Sequence, residues 1–152
     1  MKQLAAAVFA LAPLLGFAAP PEACSLLTLD EINAVAQQKA EKAQPQQEGN
    51  PSKCSWIDSR RAAVVVVSVR EVQYAVKDEL FHERENLEKI YKQRSKPLDT
   101  IGEGGFWLPA NHQLTFRKAK LIASVTFSVP KNQNELDTAQ VARLVESRLV
   151  AK

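Results

Sequence analysis

The spacing of apolar residues gives the chain a mixed strand and helix pattern. Residues 121–129 are predicted to form a strand, in which Val125, Phe127 and Val129 alternate with Ser124, Thr126 and Ser128, the period of a half-buried antiparallel strand. The Val64–Val67 run lacks this alternation. It therefore predicts that residues 62–70 form a central strand covered on both faces for part of its length.

Helical spacing predicts three helices. The first covers residues 28–39 and begins with a capping box formed by Thr28 and Glu31. The second, residues 74–94, is long and charged, and a third begins at Asn134 or Asp137. Their predicted apolar stripes are Ile32, Val35 and Ala36 in the first, Val76, Leu80, Leu87 and Tyr91 in the second, and Val141, Leu144, Val145 and Leu149 in the third.

Shorter apolar segments predict the remaining strands, at residues 54–56, 106–107 and 114–117. The predicted order is therefore α-β-β-α-β-β-β-α. This order is typical of an α+β fold in which helices pack mainly on one face of an antiparallel sheet. Residues 39–52, rich in Gln, Glu, Pro and Lys, are expected to be a mobile polar loop.

The N-terminus changes the picture, because it predicts export. Lys2 precedes a short apolar run and the small residues Ala18 and Ala19, which together are typical of a secretory signal peptide. We therefore expect residues 1–18 to be the signal peptide and residues 19–152 to be a single α+β domain, periplasmic or secreted. The apolar run is shorter than the roughly 20 residues that span a bilayer, so no transmembrane anchor is expected.

Export bears directly on the two cysteines, Cys24 and Cys54. In an oxidising compartment they are expected to form one structural disulfide, which would attach the first helix to the first strand. The alternative is lipid attachment at Cys24. It matches poorly, because Pro21 stands where a branched aliphatic residue is expected, and it would leave Cys54 without a partner.

Charge and motifs narrow the classes of function. The formal net charge is +3, and without a concentrated basic face it does not indicate nucleic-acid binding. His82 and His112 supply too few ligands for a conventional zinc site. Neither a Gly-x-Ser-x-Gly nucleophile nor a phosphate-binding glycine motif occurs. We therefore predict no catalytic residue, no metal and no cofactor.

The remaining candidates for binding a ligand or partner are aromatic or charged. The glycine-rich loop at residues 101–105 is expected to let the backbone turn sharply before a pair of aromatic residues. A basic hairpin follows, and it is expected to approach Arg60 and Arg61 and to form a rim for an anionic partner, although lysines also commonly protect exposed sheet edges. The candidate residues are Trp56, Glu103, Phe106, Trp107, Arg117, Lys118 and Lys120.

Three short motifs resemble a known group of proteins. Cys24-Ser-Leu-Leu-Thr28, Cys54-Ser-Trp56 and Ile101-Gly-Glu-Gly-Gly-Phe-Trp107 are similar to motifs of small exported proteins and lipoproteins of unknown function. The resemblance implies a disulfide-linked α+β sandwich without enzymatic activity. This chain departs from the group at Ala119, where a hairpin glycine is usual, and in lacking a good lipidation box.

Three functions compete on this basis. The first is a non-enzymatic binding module for a periplasmic or envelope protein or another cell-envelope component, which an exposed apolar patch at residues 106–108 would support. The second is a carrier of a small apolar ligand, whose cavity would be lined by Trp56, Phe106, Trp107 and Phe127. The third is a hydrolase that uses Glu103 and His112, which requires those two side chains to meet. Oligomeric state is not predicted.

Overall fold

The structure of the protein is a computed structural model, and it describes residues 20–128 and 135–149. The predicted signal peptide, the end of the predicted strand at Val129 and the cap Asn134 lie outside these residues. The strands are β1 (Lys42–Gln47), β2 (Ser52–Ile57), β3 (Ala63–Glu71), β4 (Lys96–Leu98), β5 (Gly105–Leu108), β6 (Gln113–Lys118) and β7 (Leu121–Phe127), and the helices are α1 (Leu29–Val35), α2 (Val76–Tyr91) and α3 (Glu135–Arg148).

All the strands form one antiparallel sheet in the order β1-β2-β3-β7-β6-β5-β4. Each half of the chain contributes a meander, and the two meanders meet where β3 pairs with β7. This confirms the predicted α+β class with an antiparallel sheet. The central position of β3 agrees with its valine run, since Val64, Val65, Val67 and Val69 are buried and Val66 is half-buried.

One face of the sheet carries the main core. The apolar members of the alternating patterns in β3 and β7 point to this face, together with Trp56, Leu114 and Phe116, and all are buried. Helix α1 and helix α3 cover it. Two of the three described α-helices therefore share one face, as predicted.

Helix α2 lies on the opposite face, above β5, β6 and β7. It covers Phe106, Leu108 and Ile122, which lie outside the main core cluster and are at most 2% exposed. Arg70 on β3 faces the same side, because it is paired with Ile122, and its guanidinium contacts Glu79 and Glu83 of α2 at 3.5 and 3.0 Å. None of the α2 residues is fully buried, so the helix packs against the sheet mainly through one side.

The disulfide between Cys24 and Cys54 is present, with a Cα–Cα distance of 5.1 Å. It joins the segment before α1 to β2 and crosses a sequence separation of 30 residues. Beside it, the Ala23 amide donates a hydrogen bond to the Ser52 hydroxyl at 2.8 Å. The N-terminal segment is thereby fixed to the sheet at two adjacent points.

The expectation of a mobile loop at residues 39–52 is wrong over its central part. Residues 42–47 form β1, an edge strand whose backbone pairs with β2 although most of its side chains are exposed. The pairing depends on main-chain groups, which every residue but proline offers in full. A polar tract can therefore form an edge strand without an apolar pattern.

Both edges of the sheet contain a proline, Pro45 in β1 and Pro97 in β4. Proline lacks a backbone N–H and disfavours the addition of another strand at a sheet edge. The β1 edge is further disrupted by a register shift between Pro45 and Gln47. These features disfavour edge-to-edge association between copies of the chain.

A second connection between distant segments joins α1 to α3. The predicted capping box is present, and Glu31 of that box also contacts the Arg148 guanidinium, which donates to the Leu26 carbonyl at 2.6 Å. The Arg148 hydrogen bond, followed by the Thr28 amide, lowers the pKa of Glu31 from 4.5 to about 2. Helices α1 and α3 are therefore held together by a Glu31 charge that persists in moderately acidic solution.

We predict that the Glu31→Gln variant loses stability in a pH-dependent way. Because the folded pKa of Glu31 is depressed, its contribution is fully present above about pH 4.5 and is lost as the pH falls towards 2. At pH 6 the variant should be less stable by about 2 kcal/mol, a value reduced for the partial exposure of the pair. Urea unfolding at several pH values measures this difference.

At pH 2 the wild type and Glu31→Gln should have nearly the same free energy of unfolding. The Asp30→Asn variant is the matched control, since Asp30 is exposed in the same turn of α1. A stability difference for Glu31→Gln that is the same at pH 6 and pH 2 would refute the assigned role of the carboxylate.

Across the described residues no helix combines the length and apolar character that a bilayer crossing requires.

Candidate functional site

The glycine-rich loop is fastened to the β6–β7 hairpin. Gly102 has a φ of +63°, and a Cβ at this position would lie 2.2 Å from the Arg117 carbonyl oxygen. Glu103 accepts hydrogen bonds from the Arg117 guanidinium at 2.6 Å and from the Ala119 amide at 3.1 Å. Ala119 itself has a φ of +52°, which explains why glycine is usual there. The loop has a structural role, and Glu103 and Arg117 neutralise one another.

The aromatic candidates are buried rather than exposed. Phe106 is 1% exposed, Trp107 5% and Leu108 0%. The expectation of an exposed apolar patch at residues 106–108 is therefore wrong, because α2 covers Phe106 and Leu108 while Trp107 packs into the main core. Trp56 is likewise fully buried. Since Phe106 faces α2 and the other aromatic residues face the main core, the sheet separates them, and they do not line one cavity.

The basic residues do not form the expected rim. Lys118 donates to the Glu146 carbonyl at 2.7 Å near the end of α3, and Lys120 is exposed in the hairpin. Arg60 and Arg61 lie at the opposite end of the sheet, since the register places Val65 beside Phe127 but Glu71 beside Leu121. The expectation that the two basic segments are close is wrong. The distance between the two basic segments depends on the order of the strands in the sheet, which the sequence alone does not show.

Glu103 and His112 are also at opposite ends of a strand pair. Glu103 lies beside Arg117, whereas His112 immediately precedes Gln113 at the start of β6. Four residues of extended chain separate Gln113 from Arg117, or about 13 Å. His112 instead lies with its ring 6.2 Å from that of Trp107. This arrangement offers no shared site for acid–base chemistry by the two residues.

The structure has an open depression of about 270 Å³ at the C-terminal end of α2. Its lining is charged, and Glu88 within it accepts hydrogen bonds from the hydroxyl and amide of Ser95, which lower the pKa of the Glu88 carboxyl. The lining residues are Glu85, Glu88, Lys89, Lys92, Gln93 and Arg94. This depression does not suit a small apolar ligand. Within residues 20–128 and 135–149 no cluster of three or more metal-binding side chains occurs.

The most distinctive surface is the part of the sheet beside α2 that no described helix covers. Directly opposed residues of an antiparallel pair share a face, so the register defines two rows across the strands. One row is Lys53, Ser68 and Ser124, and the other is Gln44, Ser55, Val66 and Thr126. We call these seven residues the polar sheet face.

The two rows continue beneath α2. Ser124 is paired with Thr115 and Thr126 with Gln113, and both partners are buried, with the Gln113 amide donating to the Thr115 hydroxyl at 2.8 Å. Outside the helix the polar residues have no such cover. Ser68, Ser124 and Thr126 are half-buried, Ser55 is 5% exposed, and Lys53 and Gln44 are exposed.

The hydroxyl groups of this surface are unused by the protein. In the described part of the chain, the side chains of Ser55, Ser68, Ser124 and Thr126 make no hydrogen bond to another residue. By contrast, Ser52 and Thr115 have partners within the protein. Free hydroxyls can each donate and accept a hydrogen bond. The polar sheet face is therefore an array of hydrogen-bonding groups without protein partners, in which Ser68, Ser124 and Thr126 are partly exposed and Ser55 is buried.

The charge at the β1–β2 end of this array is positive. Lys42, which lies two residues before Gln44 and on the same face, and Lys53 make no ion pair with a described residue. No strand residue on this side of the sheet is acidic. The carboxylates of Glu79 and Glu83 belong to α2 and share the one Arg70 guanidinium, which leaves a net negative charge on the α2 side of the array.

Sequence reasoning missed this surface, although one signal was present. The alternation in β7 already placed Ser124 and Thr126 on the face opposite the main core. The pairing of β7 with β3, which are more than fifty residues apart in sequence, could not be read from that pattern. Ser68, Ser55 and Lys53 become neighbours of Ser124 only through this pairing.

The fold and this surface together define a disulfide-linked α+β domain with an open polar sheet face. Comparison with known proteins gives no family model and no curated protein that matches the chain. Among solved structures the chain is similar to a GTP binding regulator from Thermotoga maritima, at 14% sequence identity and a TM-score of 0.37. That similarity covers 87% of this chain and 97% of the other.

Proposed function

We propose that this chain is an exported, non-enzymatic binding module that holds a protein or a cell-envelope component on its surface. The observation that carries the proposal is the polar sheet face, an array of unused hydroxyls beside α2. A disulfide at the N-terminal segment suits an oxidising compartment, in which the covalent link is maintained. Export itself rests on the N-terminal sequence pattern.

The positions of the other candidate residues favour surface binding over the two alternatives. Trp56 and Trp107 are buried in the core as structural residues, which weakens the case for a carrier that encloses a ligand among them. Glu103 and His112 are at opposite ends of β6, which removes the basis for the hydrolase. Lys120 remains an exposed candidate in the β6–β7 hairpin, whereas Arg117 binds Glu103 of the glycine-rich loop and Lys118 binds the Glu146 carbonyl of α3.

The experiment is a capture assay with the oxidised protein, residues 19–152, against cell-envelope extract and culture supernatant. We expect one protein or envelope component to be retained at near-stoichiometric yield and released by excess free bait. The matched control is the Ser68→Val/Ser124→Val variant, which removes two hydroxyls from the polar sheet face and should capture much less. Equal capture by both baits, or none by the wild type, would contradict the proposal.

A further inference from the structure

We propose that the polar sheet face binds an acidic polysaccharide. This inference rests on the proposed function and specifies the chemistry of its ligand. The first argument is the composition of the face. Ser68 and Ser124 stand directly opposite one another in the two central strands, where β-branched or aromatic residues would stabilise the sheet more. The short hydroxyl side chains therefore have a lower strand preference than those residues and leave this part of the surface partly exposed.

The second argument concerns what such a face can recognise. Protein-binding surfaces concentrate aromatic side chains, Met and Arg in a desolvated centre, and the polar sheet face has Val66 as its apolar member and no aromatic residue. Sugar hydroxyls, in contrast, both donate and accept hydrogen bonds, as do Ser55, Ser68, Ser124 and Thr126. A glycan can satisfy these groups without an apolar anchor.

The third argument is geometric. The row from Lys53 through Ser68 to Ser124 crosses three adjacent strands, which are about 4.8 Å apart. The parallel row from Gln44 to Thr126 crosses four. The strand on the outer side is an open edge, and α2 forms a wall on the other side, with Glu79 and Glu83 on the flank that faces β3. An extended chain of sugars fits along these rows better than a compact ligand.

The fourth argument is charge. Lys42 and Lys53 make no ion pair with a described residue, and both lie at the β1–β2 end of the sheet, away from Glu79 and Glu83 of α2. A glycan that carries carboxylates would bind them, and its attraction would weaken as salt screens the charges. A neutral glycan would use the hydroxyls alone. The occupant is therefore an acidic rather than a neutral polysaccharide.

The test uses alginate, a polymer of carboxylated sugars, as the probe for the oxidised protein. Binding is measured by calorimetry or by retention on immobilised polymer, at low and high salt, with neutral dextran and phosphatidylglycerol vesicles in parallel. We expect saturable binding to alginate that weakens at least tenfold at high salt, and little binding to dextran or to vesicles. Binding to vesicles without binding to alginate would overturn the proposal, as would equal binding to dextran and alginate.

Three variants locate the site. Ser68→Val/Ser124→Val should weaken alginate binding at least tenfold and should remain folded, because valine favours strands; circular dichroism and a thermal unfolding curve verify this. Lys53→Gln should weaken binding about threefold. Lys89→Gln makes the same charge change on the exposed side of α2 and should bind like the wild type. Equal losses for Lys53→Gln and Lys89→Gln would indicate non-specific attraction and overturn the assignment.

This experiment separates the inference from the proposed function. In one outcome the wild type does not bind alginate but captures a protein partner through the polar sheet face. This result would refute the polysaccharide proposal and would still support the binding module. A wild type that neither binds alginate nor captures any component would refute both.

Discussion

Replacing Cys24 and Cys54 with serine should lower the free energy of unfolding by about 3.7 kcal/mol, the loop-closure value for this sequence separation of 30 residues. The disulfide restricts the unfolded chain, and its loss leaves the Ala23–Ser52 hydrogen bond as the adjacent polar link between the N-terminal segment and β2. A domain of this size is typically stable by about 5–15 kcal/mol, so the loss is a large fraction. Urea unfolding of both proteins measures it.

Reduction provides the internal control for this prediction. The wild type in the presence of a strong reductant should unfold at nearly the urea concentration of the double serine variant, and the variant should not respond to reductant. A loss below about 1 kcal/mol on replacement would contradict the view that this bond is a principal source of stability.

Replacing Gly102 with alanine should destabilise the domain by about 3 kcal/mol or more. Two costs combine, because a side chain is strained at a φ of +63° and its Cβ would lie 2.2 Å from the Arg117 carbonyl oxygen. That oxygen also accepts the Glu103 amide hydrogen bond at 2.8 Å. The loop and the β6 strand would have to separate, so we expect a loss of cooperativity in urea unfolding as well.

Gly104→Ala separates the two costs. Gly104 has a φ of +117°, but no atom lies within 4 Å of a Cβ at that position. Gly104→Ala should therefore introduce backbone strain without a steric clash, and it should lower the free energy of unfolding clearly less than Gly102→Ala does. Equal losses in the two variants would show that the contact between the loop and β6 is not the deciding factor.

The sequence was sufficient to predict the fold class, the capping box and the disulfide pair, because each depends on local pattern or on having two cysteines. It was insufficient at the sheet edges. In β1 the polar side chains are exposed, and its pairing with β2 is made by the backbone. Helix α1 ends at Val35 rather than near residue 39, since Ala36 is extended and Asn33 exchanges hydrogen bonds with the backbone of Ala40.

The candidate site illustrates a different limit. Glu103, Phe106 and Trp107 stood out in sequence because they occur beside glycines, yet they hold the loop and fill the two cores. The polar sheet face is assembled from three serines, a threonine, a glutamine, a lysine and a valine, none of which stands out individually in the sequence. Their grouping follows from the pairing of β3 with β7 and from which strands α2 leaves uncovered. Composition and periodicity carry neither piece of information.

The central claim is that ligand is held on the polar sheet face. The most direct measurement is nuclear magnetic resonance of the uniformly ¹⁵N-labelled, oxidised protein, titrated with the component released from the capture assay. The account predicts amide shifts that cluster at Lys53, Ser55, Val66, Ser68, Ser124 and Thr126, with small changes on the exposed side of α2. Shifts concentrated at residues 85–94, around the depression at the end of α2, would contradict it.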